Sequence, residues 1–467
     1  MGGELPLMSA KFPKGLVIAG PQSGVGKTTV TLALIAAARR RGMRVQAFKV
    51  GPDFIDPGHL TKAAGRACHN LDGWMLTRET NQEIFFRSAR NAELVVVEGV
   101  MGLFDGYDGL SDAGSTAQMA KWLKLPVVLV VDARSQARSA AALIHGFATF
   151  DPELPLAGVI FNRIGSPRHL DYLRQALEKS GEVPCFGGLP RESEISLPER
   201  HLGLVTAEDH PLDATDLEHL AVWLEGGVDL DRLLEALPPL ALKEVPEPVP
   251  LAPQVRLGVA KDPAFCFYYQ ENLEWLARFG AEIVDFSPLS DRKLPEVYGL
   301  YLGGGYPELY ARQLSDNQAM LQAVREAALA GLPIYAECGA LMYLSREVQD
   351  LAGNRYPLAG VLPFEVRMLQ RLKALGYREV TLAADTLLGP AGLRVRGHEF
   401  HYSEIVGECG ETALVYDLTP RPGTPPRKEG FQVGQVLASY VHLHFGSNPE
   451  VARQFVARCR RYKETRE

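Results

Sequence analysis

Two groups of residues in this sequence have the types and spacing of reaction chemistry. The first is Gly20 to Thr29, Gly-Pro-Gln-Ser-Gly-Val-Gly-Lys-Thr-Thr, between a β-branched apolar run and a helical pattern. A glycine-rich turn in that setting points successive backbone N–H groups inward, and the following helix adds its positive end, so the loop can cradle phosphate. Lys27 would neutralise β/γ-phosphates and Thr28 would ligate Mg²⁺, with Gly24, Gly26 and Thr29 completing the nucleotide-binding loop. The strict G-x-x-x-x-G-K-[ST] spacing is missed, because Pro21 stands at its first glycine and Gly20 lies one residue earlier. The loop is one residue longer than that pattern.

Mg²⁺ takes hard oxygen ligands, so such a loop needs carboxylates nearby. Asp53 and Asp56 in KVGPDFIDPGH, and Glu98 and Asp105 in VVVEGVMGLFDG, each follow a strand-like run. A carboxylate at the C-terminal end of a parallel strand faces the crevice where ligands bind. Thr28, Asp53 and Glu98 are the expected metal ligands. Asp56 before Pro57 and Asp105 before Gly106 suit plain turns equally well. Asn162 closes another run, where its amide would read an adenine edge or serve a turn.

The second group centres on Cys338 in IYAECGALMY, where a strand ends and a helix begins. That elbow exposes a nucleophile, and a helix N-terminus favours thiolate. The run ASYVHLHF offers His442 as its base and His444 as support, since residues two apart on a strand share a face. Gly303-Gly304-Gly305 follows the run GLYL, and the N–H groups of Gly304 and Gly305 would form an oxyanion hole. The other five cysteines lack such a context, and no C-x-x-C pair signals a zinc or disulfide framework.

Elements must hold these groups in place. Apolar runs at 15–20, 44–50, 93–99, 126–133 and 156–164, and again at 255–260, 281–286, 299–305 and 332–338, alternate with helical stretches such as 28–41 and 317–330. Continuous apolar strands alternating with helices predict α/β architecture with parallel sheets. Six prolines fall within residues 238–253, which excludes helix or central strand there. This predicts domains at 1–240 and 255–467, joined by a stiff linker at 241–254. A second proline-rich stretch, 420–426, reads as a surface loop.

The chain has 467 residues and a net charge of −7 from 56 acidic and 49 basic side chains. That balance gives no support to a nucleic-acid partner. No apolar run approaches a membrane span, and the first residues lack a secretory signal's basic and apolar regions, so a reduced, cytoplasmic setting is expected.

The chain resembles the cobyrinic acid a,c-diamide synthase family, the glutamine amidotransferases of corrinoid (cobalamin) biosynthesis. GPQSGVGKTTV, KVGPDFIDPGH, NLDGWM, VVVEGVMGLFDG and FNRIGS carry the likeness in the first half, which is also similar to dethiobiotin synthetase. GLYLGGGYPE, YAECGALMYL, GHEFHYSE and ASYVHLHF carry it in the second, a class I glutaminase half of flavodoxin-like type. The resemblance implies that ATP phosphorylates acetate carboxylates of the macrocycle, c before a. Ammonia released from L-glutamine through a Cys338 thioester, with His442 as base, then displaces phosphate. It assigns Asp53, Asp56, Glu98 and Asp105 to Mg²⁺, ATP and the acyl phosphate. The usual His-x-Glu relay is replaced by His442-Leu-His444, which leaves open what orients His442. Hydrogenobyrinic acid and nickel-sirohydrochlorin are alternative substrates; a P-loop switch with an idle amidase is a more distant alternative. Segments 70–75 and 397–404 are expected to be loops touching the macrocycle, and a homodimer is compatible with the reading.

Overall fold

A computed structural model describes residues 13–181, 183–191, 199–200, 203–204, 206–246, 251–410, 412–419, 425 and 427–467. The chain divides into two compact units, Met1–Gly73 with Asn81–Pro246, and Trp74–Thr80 with Glu247–Glu467. The boundary at 246/247 falls in the proline-rich segment, whose residues 247–250 lie outside the described ones, as do 420–424 and 426 of the second such stretch.

The first unit is built on seven parallel strands: β1 (Lys14–Ala19), β2 (Val45–Val50), β3 (His69–Leu71), β4 (Leu94–Glu98), β5 (Val127–Asp132), β6 (Leu156–Ile164) and β7 (Cys185–Pro190). Their order is β3-β2-β4-β1-β5-β6-β7, so β1 is central with β4 and β5 as neighbours. Leu16, Val17 and Ile18 on β1 and Leu94, Val95, Val96 and Val97 on β4 are fully buried, as a sheet covered on both faces requires. Each such side chain contributes about 1.5–3 kcal/mol on leaving water. The helix Lys27–Arg40 starts straight from the glycine-rich turn, and Ala, Leu and Ile carry it through the core. Arg39 and Arg40 in its last turn complement the helix dipole.

In the second unit the parallel strands Ala281–Phe286, Val255–Ala260, Leu300–Leu302, Ile334–Glu337 and Val436–Ser439 lie side by side in that order. Numbered along the chain this is 2-1-3-4-5, the flavodoxin-like arrangement. Antiparallel strands Arg427–Val433, Ala413–Thr419, Ala374–Leu382, Arg394–His401 and Val441–Leu443 extend the same sheet. Only Tyr440 separates Val436–Ser439 from Val441–Leu443, yet the latter ends the ten-strand order. The sheet therefore curls back, and its last strand returns beside the strand that carries the thiol. Residues 397–404 lie mostly on strands Arg394–His401 and Ser403–Val406, not in the loop expected of them.

Candidate functional site

In the first unit, Gly24 (φ 77°) and Gly26 (φ 97°) bend the loop after β1 through the left-handed region. A Cβ on Gly26 would come within 2.2 Å of Asn162 Nδ2, so only glycine admits that amide. Asn162 donates to Val25 O (2.9 Å) and its Oδ1 accepts from the Arg163 N–H (2.9 Å). Arg163 donates to Gly24 O (2.8 Å) and to the Asp132 carboxylate (2.7 Å). Asn162 thus holds the phosphate loop, with one N–H of its amide committed to that loop. Lys27 Nζ donates to Gln22 O (3.0 Å) and Met101 O (2.6 Å), which folds it over the loop. Burial and then the neighbouring Lys49 ammonium push its pKa down to about 8.

Sheet register builds the acid cluster. Lys49 on β2 lies opposite Glu98 on β4, and Glu98 lies opposite Ile18 on β1, just before the phosphate loop. Lys49 Nζ donates to Asp56 Oδ2 (2.5 Å), Glu98 Oε1 (2.8 Å) and Gly99 O (3.3 Å). Thr28 Oγ1 donates to Glu98 Oε1 (2.7 Å) and lies 3.5 Å from Asp56 Oδ2. Burial, opposed by Lys49, lifts Glu98 to about 7; burial and then Asp56 lift Asp53 to about 6. Asp56 is equally buried but is held below the ordinary carboxylate range by Lys49. Burial alone would lower Lys49, but the charges of Asp56 and Glu98 outweigh it and raise the ammonium's pKa.

Thr28, Asp56 and Glu98 converge as hard oxygen donors, and Glu98 Oε2 is buried with no hydrogen-bond partner. An orphaned carboxylate oxygen beside the loop's threonine fits a divalent cation. Asp53 Oδ1 accepts from the N–H groups of Ile55 (2.7 Å) and Asp56 (3.2 Å), opening the helix Ile55–Ala64. Asn70 donates to Gly51 O (2.9 Å) and Asp53 O (2.7 Å), so this residue of 70–75 shapes the acidic turn. Asp105 is exposed, and its Oδ2 accepts from the Gly102 N–H (3.0 Å), the turn role weighed for it above. Lys49 was not singled out from the sequence. A lysine inside a strand whose every residue is buried was the available signal.

In the second unit, Cys338 follows strand Ile334–Glu337 with φ 48° and ψ −102°, and opens the short helix Gly339–Leu344. A non-glycine residue held there is strained, as at a nucleophile elbow. Its N–H donates to Ser439 O (2.7 Å), which fixes the elbow to the neighbouring strand. The Gly303–Gly305 turn borders the thiol: a Cβ on Gly304 would lie 2.3 Å from His442 Cε1, and one on Gly339 would lie 3.1 Å from Gly305 N. The Gly303 N–H donates to Tyr268 Oη (2.7 Å), pinning the turn.

His442 sits on the returning strand, opposite His398, and Asn272 clamps that strand at Leu443 O and the Phe445 N–H (both 2.7 Å). Burial alone would lower its pKa, but the charge and hydrogen bond of Cys338, then Glu337, raise it to about 10. His444 Nδ1 accepts from the Gly446 N–H (3.2 Å), and its ring stacks on Tyr269 at 4.6 Å. Glu399 and His401 of GHEFHYSE form a buried cluster with Arg378 (2.7 Å) and Arg427 (2.6 Å) on Glu399, while His401 stacks on Tyr440 at 3.8 Å.

A phosphate loop with converging carboxylates on one unit, and an activated thiol beside a glycine turn on the other, define a glutamine-dependent ligase with a P-loop nucleotide-binding domain and an amidotransferase domain. Residues 16–205 match the CobQ/CobB/MinD/ParA nucleotide binding domain, and residues 256–450 match the CobB/CobQ-like glutamine amidotransferase domain. The cobyrinate a,c-diamide synthase of Syntrophotalea carbinolica is 49% identical over 460 residues, covering 95% of this chain and 98% of that one. Those of Dehalococcoides mccartyi (strain 195) and Leptospira interrogans (serovar Lai) are 45% and 44% identical, covering 95% and 97% of this chain and 98% and 100% of theirs. The chain belongs to the cobyrinate a,c-diamide synthase family. Among the described residues, no helix is long and apolar enough to cross a membrane.

Proposed function

We propose that the protein converts cobyrinic acid to its a,c-diamide, consuming ATP and taking nitrogen from L-glutamine in the cytoplasm. A carboxylate is a poor electrophile. Its oxygen attacks the γ-phosphorus of ATP, ADP leaves, and an acyl phosphate remains. Ammonia then adds to the carbonyl carbon and phosphate departs. Phosphoryl transfer is governed by positioning and charge neutralisation, which Lys27 and the loop N–H groups would supply. Thr28, Glu98, Asp53 and Asp56 would hold Mg²⁺, which when bound neutralises phosphate charge.

In the second unit, the Cys338 thiolate attacks the glutamine amide carbon. His442 gives its proton to the leaving ammonia and then draws one from the water that hydrolyses the thioester. The N–H groups of Gly304 and Gly305 would receive the oxyanion of each tetrahedral intermediate. The observation that carries this reading is Cys338 in its strained elbow, coupled to a buried imidazole whose pKa rises to about 10. Hydrogenobyrinic acid and nickel-sirohydrochlorin are not favoured, since the relatives quoted are named for cobyrinate. Cys338→Ala should abolish glutamine-driven amidation while ammonium salts still support it, read by mass spectrometry of the corrinoid product. Glutamine-driven activity surviving in that variant would refute the assignment.

A further inference from the structure

The His-x-Glu spacing that usually supplies the third member of a class I triad is absent, since His444 stands where the glutamate would be. The strand beneath the nucleophile carries another carboxylate. Glu337, one residue before Cys338, is 1% exposed, and its Oε2 lies 3.8 Å from His442 Nδ1. We propose that Glu337 is the positioning residue of the glutaminase, setting the orientation and charge of His442 from the nucleophile's own strand in place of the missing relay glutamate. This rests on the reading of Cys338 as the glutaminase nucleophile.

Three donors hold the carboxylate in that place. Tyr335 Oη (2.7 Å) and the Leu443 N–H (2.9 Å) donate to Oε1, and Tyr301 Oη donates to Oε2 at 3.0 Å. Both tyrosines are fully buried, and burial first, then the Glu337 charge, raises each hydroxyl well above its ordinary pKa, so both remain donors. The Leu443 N–H belongs to the residue after His442, so one carboxylate fixes the backbone and faces the imidazole of the same strand. Alternation places Glu337 and Cys338 on different sides of the chain at a strand end. The positive-φ elbow at Cys338 redirects the thiol, which lets consecutive residues approach the same imidazole.

A buried carboxylate beside Nδ1 favours the tautomer with hydrogen on Nδ1 and stabilises the imidazolium formed when Nε2 takes a proton. The groups facing His442 are Cys338 and Glu337 on the nucleophile strand and His398 on the paired strand, which is flanked by Arg378 and Glu399. His398 is driven down to about 3, by burial and then by the His442 charge, so it is neutral at working pH. Glu337 is then the acidic group that sustains the imidazolium besides the thiolate itself.

The test is glutamine hydrolysis by the full-length chain across pH 6 to 10.5, with ammonium-driven amidation as the control for an intact protein. Glu337→Gln should lower kcat about 100-fold with KM for glutamine within about twofold, and should move the alkaline limb of kcat to lower pH, because the imidazolium loses a stabilising charge. Glu337→Asp keeps the charge on a shorter arm and should recover part of the rate and of the alkaline limb. If Gln at 337 prevents folding, the Asp variant is compared directly with the unaltered chain, and a limb displaced to lower pH with reduced kcat is again expected. A Gln or Asp variant with unchanged kcat, or with reduced kcat on an unmoved alkaline limb, would overturn the proposal. Loss of hydrolysis in Cys338→Ala is scored separately: its failure would sink the nucleophile assignment on which this proposal rests, whereas an unmoved alkaline limb at position 337 with that loss intact sinks this proposal alone.

Discussion

Single residues decide the chemistry here, and the two that sequence reasoning passed over are both charged groups buried in strands. Lys27, Thr28 and Cys338 were legible because local spacing alone announces them: a glycine turn before a helix, a thiol at an elbow. Lys49 and Glu337 act through partners far along the chain, at 2.8 Å from Glu98 and 3.8 Å from His442. No local pattern reveals such pairings, although a charge at a strand position flanked by buried apolar residues invites the question. Lys49 neutralises Asp56 and Glu98 inside the protein, and removing one partner of a buried ion cluster costs about 3–5 kcal/mol. Lys49→Met should therefore destabilise the nucleotide-binding unit by roughly that amount. Millimolar Mg²⁺ should restore more stability to this variant than to the unaltered chain, since the cation would replace the lost charge between the same oxygens. Thermal melts with and without MgCl₂ measure both effects; equal Mg²⁺ responses would argue against a metal seat at Glu98.

At the scale of elements, most of the apolar parallel strands were readable, with limits within three residues of those expected, while the parallel strands His69–Leu71 and Cys185–Pro190 were missed. Val127–Val131 and Val159–Phe161 show why the others were readable: both faces are covered there, so the sequence runs apolar. The antiparallel half of the second sheet was not readable. Arg394–His401 alternates exposed and buried positions, and its buried positions include Glu399 and His401 as well as Val395. A polar residue on the inner face erases the period-two signal. Nor could prolines at 238–253 show that Trp74–Thr80 groups with the second unit, where Trp74 stacks on Tyr377 at 4.7 Å. Glu399 is the costliest of these inward polar groups, and its neighbours compensate it. Burial would raise its pKa, but His401, Arg427 and Arg378 bring it from 4.5 down to about 2. A depressed carboxylate contributes stability above its unfolded pKa and loses it as pH falls toward the folded value. The contribution is on the order of 3 kcal/mol at neutral pH, begins to shrink near pH 4.5, and is half gone a little above pH 3. Glu399→Gln should accordingly destabilise the chain most at pH 7, with the gap to the unaltered chain narrowing on acidification below 4.5. Urea melts at pH 7, 4.5 and 3.5 would show a constant gap if the carboxylate were not charged in the fold.

For the whole molecule, the chemistry divides between two cores, each with its own sheet and its own reactive group: a nucleotide cradle in one, a thiol in the other. The proposed reaction needs nitrogen as neutral NH₃, because an ammonium ion has no lone pair to attack an acyl phosphate. Supplied from solution, NH₃ is a small fraction of total ammonium at neutral pH and grows steeply as pH rises. Supplied from glutamine, it leaves as NH₃ when His442 protonates the departing amide nitrogen, whatever the ammonium equilibrium of the solution. Glutamine-driven amidation should therefore change little between pH 7 and 9, whereas ammonium-driven amidation at fixed total ammonium should climb through that range. Their ratio should be greatest at the acidic end. Lys27→Ala should remove both amidations, since each draws on the same acyl phosphate, and leave glutamine hydrolysis measurable. Parallel pH profiles for the two nitrogen sources would mean that glutamine nitrogen equilibrates with solvent before it is used, and the division of labour between the two cores would then give glutamine no advantage over the free salt.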